Sequence, residues 1–142
     1  MSIKVVCPSC LKVNRIPKKD SYAKANCGLC KKSMLNIEPV DVNEDKLNSF
    51  IINSDIPVVV DFWASWCGPC LQMSSVFKEV SKEMSLKASF LKVNSDENQN
   101  LGGLYAIRSI PTLIIFKNGK EIDRLSGALN STRLKNWVKQ YI

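Results

Sequence analysis

Cys67 and Cys70 stand in the stretch Trp66-Cys67-Gly68-Pro69-Cys70, directly after the apolar run 58–64. A strand that feeds a helix through Cys-x-x-Cys puts the first thiol at the helix N-terminus, where unpaired N–H groups and the helix dipole favour a thiolate. Cys67 is therefore the expected nucleophile. Cys70, one helical turn on, can attack a mixed disulfide formed on Cys67 and release the reduced partner. The two thiols, with Gly68 and Pro69 between them, form a two-electron couple, and a redox-active Cys67–Cys70 disulfide is expected. An inert bridge is the competing reading, but a loop with two intervening residues stabilises little. Pro69 and the flanking tryptophans do not suggest half of a metal knuckle.

The other four cysteines lie far upstream. Cys7-Pro8-Ser9-Cys10, sixteen further residues, and Cys27-Gly28-Leu29-Cys30 have the spacing of a four-thiolate tetrahedral site built from two knuckles. Pro8 and Gly28 mark the two tight turns. The chain has no histidine, so a Cys₂His₂ site is excluded. Two disulfides are the alternative, disfavoured by paired knuckles without a secretory signal. One zinc ion is the default occupant, and iron is the other metal that four thiolates suit.

At 142 residues and 45% hydrophobic content, the chain has room for one ordinary domain and a small appendage. We place a four-cysteine module at residues 1–36 and the main domain at 37–142. The first segment holds few large apolar residues and lies below the ~40 residues that usually fold without a staple, so metal binding is expected to drive its folding. The stretch 36–41, with Pro39, reads as a linker. The net charge of +7 sits mostly in the module, which to Val40 has eight basic residues against Asp20 and Glu38. Lys18-Lys19 and Lys31-Lys32 could meet phosphates, but Tyr22 alone is there to stack on bases, so nucleic-acid binding is not favoured. No run approaches ~18 uninterrupted apolar residues and no apolar leader precedes the first knuckle. The expectation is a cytoplasmic protein without membrane contact, acting as a monomer.

The elements that must position the thiols follow from periodicity. Leu47, Phe50 and Ile51 share a helical face after a possible cap at Asn43, and 56–63 reads as a buried central strand. Met73, Val76, Phe77, Val80 and Met84 line the core face of a helix beginning near Cys67. A strand at 88–93 and a short helix at 97–105 follow, the latter weakened by Gly102-Gly103. Strands 112–116 and 121–125 flank Asn118-Gly119, a strong hairpin signal. A last helix, capped by Asn130 or Ser131, places Leu134, Trp137, Val138, Tyr141 and Ile142 on one face. From Asp41 the order is αβαβαββα.

With these pieces placed, the chain from about Asp41 to Ile142 resembles the thioredoxin family. The resemblance rests on Val-Asp-Phe-Trp-Ala-Ser-Trp-Cys-Gly-Pro-Cys at 60–70, Leu-Lys-Val-Asn at 91–94, Ile-Arg-Ser-Ile-Pro-Thr-Leu at 107–113, Phe-Lys-Asn-Gly at 116–119, and Gly127. With the four-cysteine module included, the whole chain is similar to the bacterial zinc-binding thioredoxin 2 type. The resemblance implies an α/β thioredoxin fold, a central mixed sheet flanked by helices, carrying a small zinc-ribbon-like module. It also implies that Cys67 and Cys70 reduce disulfide-containing client proteins and are themselves reduced by an NADPH-dependent thioredoxin reductase.

The same resemblance assigns roles around the thiols. Pro111 matches a cis-proline facing them, with the Ile110 backbone placed to pair with an extended substrate segment. Asp61, alone in an apolar strand, is expected to have a raised pKa and to accept the Cys70 proton, with Lys92 on the next strand as its partner. Trp63 and Trp66 are expected to shape the docking surface, and Gly127 to admit substrate backbone. One departure is Ser75, where many members have a helix-kinking proline. A straighter helix is expected from it, with some change in redox potential and docking surface.

Overall fold

The computed structural model describes residues 1–35 and 38–142. In chain order the elements are β1 (Ser2–Val6), β2 (Val13–Pro17), β3 (Val40–Asp41), α1 (Glu44–Asn53), β4 (Val58–Trp63), α2 (Gly68–Glu83), β5 (Ser89–Asn94), α3 (Gln99–Leu104), β6 (Thr112–Lys117), β7 (Lys120–Ser126) and α4 (Ser131–Lys139). The apolar run read as a central strand is β4, buried from Val58 to Phe62. It lies in a five-stranded mixed sheet of order β3-β5-β4-β6-β7, with β3, β5 and β4 parallel and β6 and β7 antiparallel.

Alternation along the strands divides the core into two layers. On one face, Val58, Val60, Phe62, Leu91, Val93 and Ile114 pack against Leu47, Phe50 and Ile51 of α1 and Leu101 of α3. On the other, Val59, Phe90, Leu113 and Ile115 pack against Met73, Phe77 and Val80 of α2 and Leu134, Trp137 and Val138 of α4. Side-chain caps set the starts of α1 and α4. Asn43 accepts from the Lys46 N–H at 3.0 Å, and Asn130 accepts from the Arg133 N–H at 2.8 Å. The β6–β7 turn uses Asn118 and Gly119, both at positive φ (54° and 80°), as a two-residue hairpin turn requires.

Several boundaries differ from the expectations. Residues 40–41 of the supposed linker form edge strand β3, paired in register with Leu91 and Lys92. The proposed boundary at 36/37 and the start of that linker lie outside the described residues. Helix α4 ends at Lys139, so Ile142 is 54% exposed instead of joining the core. Helix α2 runs unbroken through Ser75, whose hydroxyl donates to the Gln72 carbonyl at 3.4 Å.

The amino-terminal segment is a β1–β2 hairpin whose connection carries the first knuckle, with the second knuckle, after β2, brought against it, and it does not stand apart. Val5 and Val6 point to opposite sides of β1. Val5 packs with Cys7, Cys27 and Met34, and this cluster is completed by Ile56 and Leu86 of the main body. Val6 enters the α1 core layer. The module whose folding metal binding is expected to drive also shares apolar packing with the domain beside it.

Candidate active site and metal centre

Helix α2 starts where β4 ends, and Cys67 is its N-cap: Sγ accepts the Cys70 N–H at 3.2 Å. Cys67 and Cys70 are joined as a disulfide. Their side chains form a small cluster with Ala64, Trp63 and Ile110, and Cys67 is only 5% exposed. The Ile110–Pro111 peptide is cis, and the Ile110 carbonyl oxygen lies 3.8 Å from Cys67 Sγ. Gly127 donates its N–H to the Pro111 carbonyl at 2.8 Å and holds φ at +94°, a conformation that favours glycine. Apart from the adjoining backbone and chain neighbours, no described atom lies within 4 Å of where a Cβ would sit on Gly127 or Gly68. Pro69 occupies the first turn of α2, where its missing N–H leaves no hydrogen bond unmade.

The tryptophans differ. Trp66 is 71% exposed, and its indole N–H is fixed on Asp96 at 2.9 Å. Trp63 is half-buried with its ring beneath the Lys92 ammonium, 4.3 Å from the centroid.

Asp61 is fully buried in β4, on the sheet face that α2 covers, between Val59, which packs on Met73 and Phe77, and Trp63, which packs on the thiol pair. Neither carboxylate oxygen has a hydrogen-bond partner among the described residues. Burial pushes the carboxyl from 3.8 up to about 7, against the opposing pull of the Lys92 charge. Lys92 is the register partner of Asp61 on β5. The expected close pairing is not formed: the ammonium donates to Ser74 Oγ at 3.3 Å and makes no ion pair among the described residues. Lys92 acts on Asp61 through its field, not by contact.

The sulfurs of Cys7, Cys10, Cys27 and Cys30 all lie within 4.8 Å of one another, with Cys7–Cys30 at 3.7 Å and Cys10–Cys27 at 3.6 Å. A tetrahedral ion with ~2.3 Å metal–sulfur bonds needs sulfurs ~3.8 Å apart, so the donor set fits such an ion. The knuckles are near copies. Leu11 N–H reaches the Cys7 carbonyl as Lys31 N–H reaches that of Cys27, at 2.9 and 3.0 Å. Pro8 and Gly28 open the two turns, as expected, and in each knuckle the residue after the second cysteine, Leu11 (68°) or Lys31 (67°), takes positive φ. Backbone N–H groups of Ser9 and Leu29 point at Cys7 and Cys27 sulfur, each at 3.4 Å. The Cys27 thiol is held down to about 6, first by the Cys30 backbone N–H and next by the Asn14 side chain. Four sulfurs so placed could hold one metal ion.

Three polar residues at these sites carry no mark in the sequence motifs: Asn14 at the four-cysteine cluster, Asp96 under Trp66 and Ser74 beside Lys92. Asn14 meets the Lys12 carbonyl at 3.0 Å, and its place shortly after Cys10 was the available clue. Neither of the other two belongs to a motif, and no local signal marks them.

The protein-family model described as Thioredoxin matches residues 38–140. The chain is 39% identical over 138 residues to "Thioredoxin C-3" of Corynebacterium nephridii, covering 97% of this chain and 94% of the relative, so that likeness reaches into the four-cysteine segment. It is 41% identical over 105 residues to a thioredoxin of Haemophilus influenzae, covering 74% of this chain and 98% of the relative. Among solved structures, a Plasmodium falciparum thioredoxin superposes with a TM-score of 0.66 at 36% identity, covering 72% of this chain and 98% of that one. A mutant thioredoxin from Halobacterium salinarum gives 0.69 at 30% identity over 75% of this chain and 93% of that one.

Proposed function

This chain belongs to the thioredoxin family and is a thiol-disulfide oxidoreductase, and from that premise we propose that it is a cytoplasmic, monomeric protein-disulfide reductase recycled by an NADPH-dependent thioredoxin reductase. Residues 1–36 hold one zinc through Cys7, Cys10, Cys27 and Cys30, and 37–142 carry the exchange chemistry. The observation that carries the reading is the Cys67–Cys70 disulfide at the α2 N-terminus, with the Ile110 carbonyl beside it and the Gly127 flank open.

In the reduced protein, the Cys67 thiolate attacks one sulfur of a client disulfide. A Cys67–client bond forms, the client S–S bond breaks, and the first client sulfur leaves as thiolate. Cys70 then gives its proton to Asp61, attacks Cys67 Sγ and expels the second client sulfur, leaving the Cys67–Cys70 disulfide. Two electrons pass to the client, and the reductase restores them from NADPH. An extended client segment pairs with the Ile110 backbone, and Trp63, Trp66 and Gly127 border its path.

NADPH consumption by the full chain with thioredoxin reductase and a disulfide-linked protein tests this, with Cys67→Ser as the blank. Turnover in the wild type alone is expected, with a potential near the ~−270 mV typical of thioredoxin. No turnover, or a potential well above ~−200 mV, would make the chain an oxidant or isomerase instead.

A further inference from the structure

Asp61 and Lys92 are set side by side on parallel strands, yet the ammonium is turned aside. It is held between the Ser74 hydroxyl at 3.3 Å and the Trp63 ring at 4.3 Å. Ser74 lies four residues after Cys70, so the two share one face of α2. That face covers the sheet surface on which Asp61 and Lys92 stand.

We infer that Ser74 is a positioning residue for disulfide exchange: by detaining the Lys92 ammonium over Trp63 it leaves the Asp61 carboxyl unpaired and free to exchange a proton with Cys70. The inference rests on the proposed role of Asp61 as proton acceptor. Were Lys92 to close on Asp61, the carboxylate would be stabilised as an ion and would become a weaker base. An unpaired, buried carboxyl instead titrates near neutrality, where a base for a thiol is most effective.

The charges that bear on this arrangement are few. Lys92 stands on β5, and the two thiols stand on α2. Asp41 of β3, Lys46 of α1 and Glu97 line, with Lys92 and Trp63, a polar cavity of about 530 Å³. From β6 the register partner of Asp61 is the uncharged Leu113. Asp41 is the register partner of Lys92 on its other side and offers the ammonium a second attraction away from Asp61.

The test uses the full chain, charged at Cys67 with thionitrobenzoate, whose release reports attack by Cys70. Single-turnover rates are followed from about pH 5 to 9 in wild type, Ser74→Ala, Ser74→Thr, Lys92→Gln and the Ser74→Ala/Lys92→Gln double variant. In parallel the Asp61 carboxyl is titrated by ¹³C NMR in the reduced proteins. Ser74→Ala is expected to move the acid limb and the carboxyl titration down by about one pH unit and to lower the plateau severalfold, as an approaching cation does. Ser74→Thr, which keeps the hydroxyl, is expected to restore both. In the Lys92→Gln background, Ser74→Ala is expected to move neither. An unmoved carboxyl titration in Ser74→Ala, or the same movement without Lys92, would overturn the role of Ser74. An Asp61→Asn variant that kept the wild-type acid limb would overturn the base reading beneath it.

Discussion

Lys4 and Asp55 hold each other twice: the Asp55 carboxylate accepts the Lys4 N–H at 2.7 Å, and the Asp55 N–H donates to the Lys4 carbonyl at 2.9 Å. This clasp ties β1 to the turn between α1 and β4, next to the place where Ile56 enters the module's apolar cluster. Asp55→Ala removes one of the two bonds and is expected to lower the stability of the metal-loaded chain by about 1 kcal/mol. Denaturant midpoints measure the loss, and faster amide exchange in β1 locates it. Asp55→Asn retains an acceptor and is expected to lose less. Equal midpoints for wild type and Asp55→Ala would show that apolar packing alone seats the hairpin.

Asn14 braces the second knuckle from outside the ligand set. Its Oδ1 accepts the Gly28 N–H at 2.9 Å, while Nδ2 donates to the Lys12 carbonyl at 3.0 Å and points at Cys27 sulfur at 3.4 Å. Groups of this kind orient metal ligands, and their loss typically weakens binding about 10- to 100-fold. Asn14→Ala is expected to fall in that range for zinc, read by competition with a chromophoric chelator. Unchanged affinity would reduce Asn14 to a bridge between the knuckles.

The carboxyl of Asp61 sets a pH dependence whose sign can be worked out. Unfolded, it titrates near 3.8, and folded, burial places it at about 7. Below the lower value both states are protonated and the group contributes nothing. Between the two, the unfolded chain releases a proton that the folded chain retains, so stability declines as pH rises, and the full penalty stands above about 7. Asp61→Asn removes the titration. The variant is expected to match wild type near pH ~3.5 and to exceed it at pH ~8 by on the order of 4 kcal/mol. The same variant is expected to resolve mixed disulfides more slowly near neutral pH. Paired denaturation and single-turnover measurements check both, and a variant destabilised under the alkaline condition would refute the burial argument.

Cys67 caps α2 and is 5% exposed, Cys70 1%, and the proposed exchange takes Cys67 as the sulfur that meets the client. Cys70→Ser is expected to accumulate covalent complexes with clients, and Cys67→Ser to abolish both trapping and reduction. Non-reducing electrophoresis after exposure to disulfide-bearing protein reads this directly. Trapping by Cys67→Ser alone would reverse the assignment.

Features carried by local physics are readable in the amino-acid sequence. The run that forms β4 has too many consecutive apolar residues for an exposed strand, Asn118-Gly119 supplies the left-handed pair a hairpin turn needs, and Asn43 and Asn130 have the side chains that cap helices. The thiols at the start of α2 are legible for the same reason. What depends on distant neighbours is not. Val40 and Asp41 form a strand only because Leu91 and Lys92, far along the chain, lie beside them. Lys92 falls on the expected strand next to Asp61, but the direction of its long side chain is decided by Ser74 and Trp63 from other elements. The two left-handed residues of the knuckles, Leu11 and Lys31, have side chains that announce no such conformation.

Ile56 and Leu86, whose side chains close the apolar cluster around Cys7 and Cys27, bear on how the four-cysteine hairpin could be moved between proteins. It is not a cassette. Grafted as residues 1–36 onto another domain of the same fold, it would arrive without two of the side chains that cover Val5 and Met34, and without the Asp55 clasp on its first strand. A working transplant has to carry a landing site as well: apolar residues at the two positions that correspond to Ile56 and Leu86, and a carboxylate between α1 and β4. An engineer adding a metal centre to a plain thioredoxin would therefore be editing three places in the recipient before adding a single cysteine.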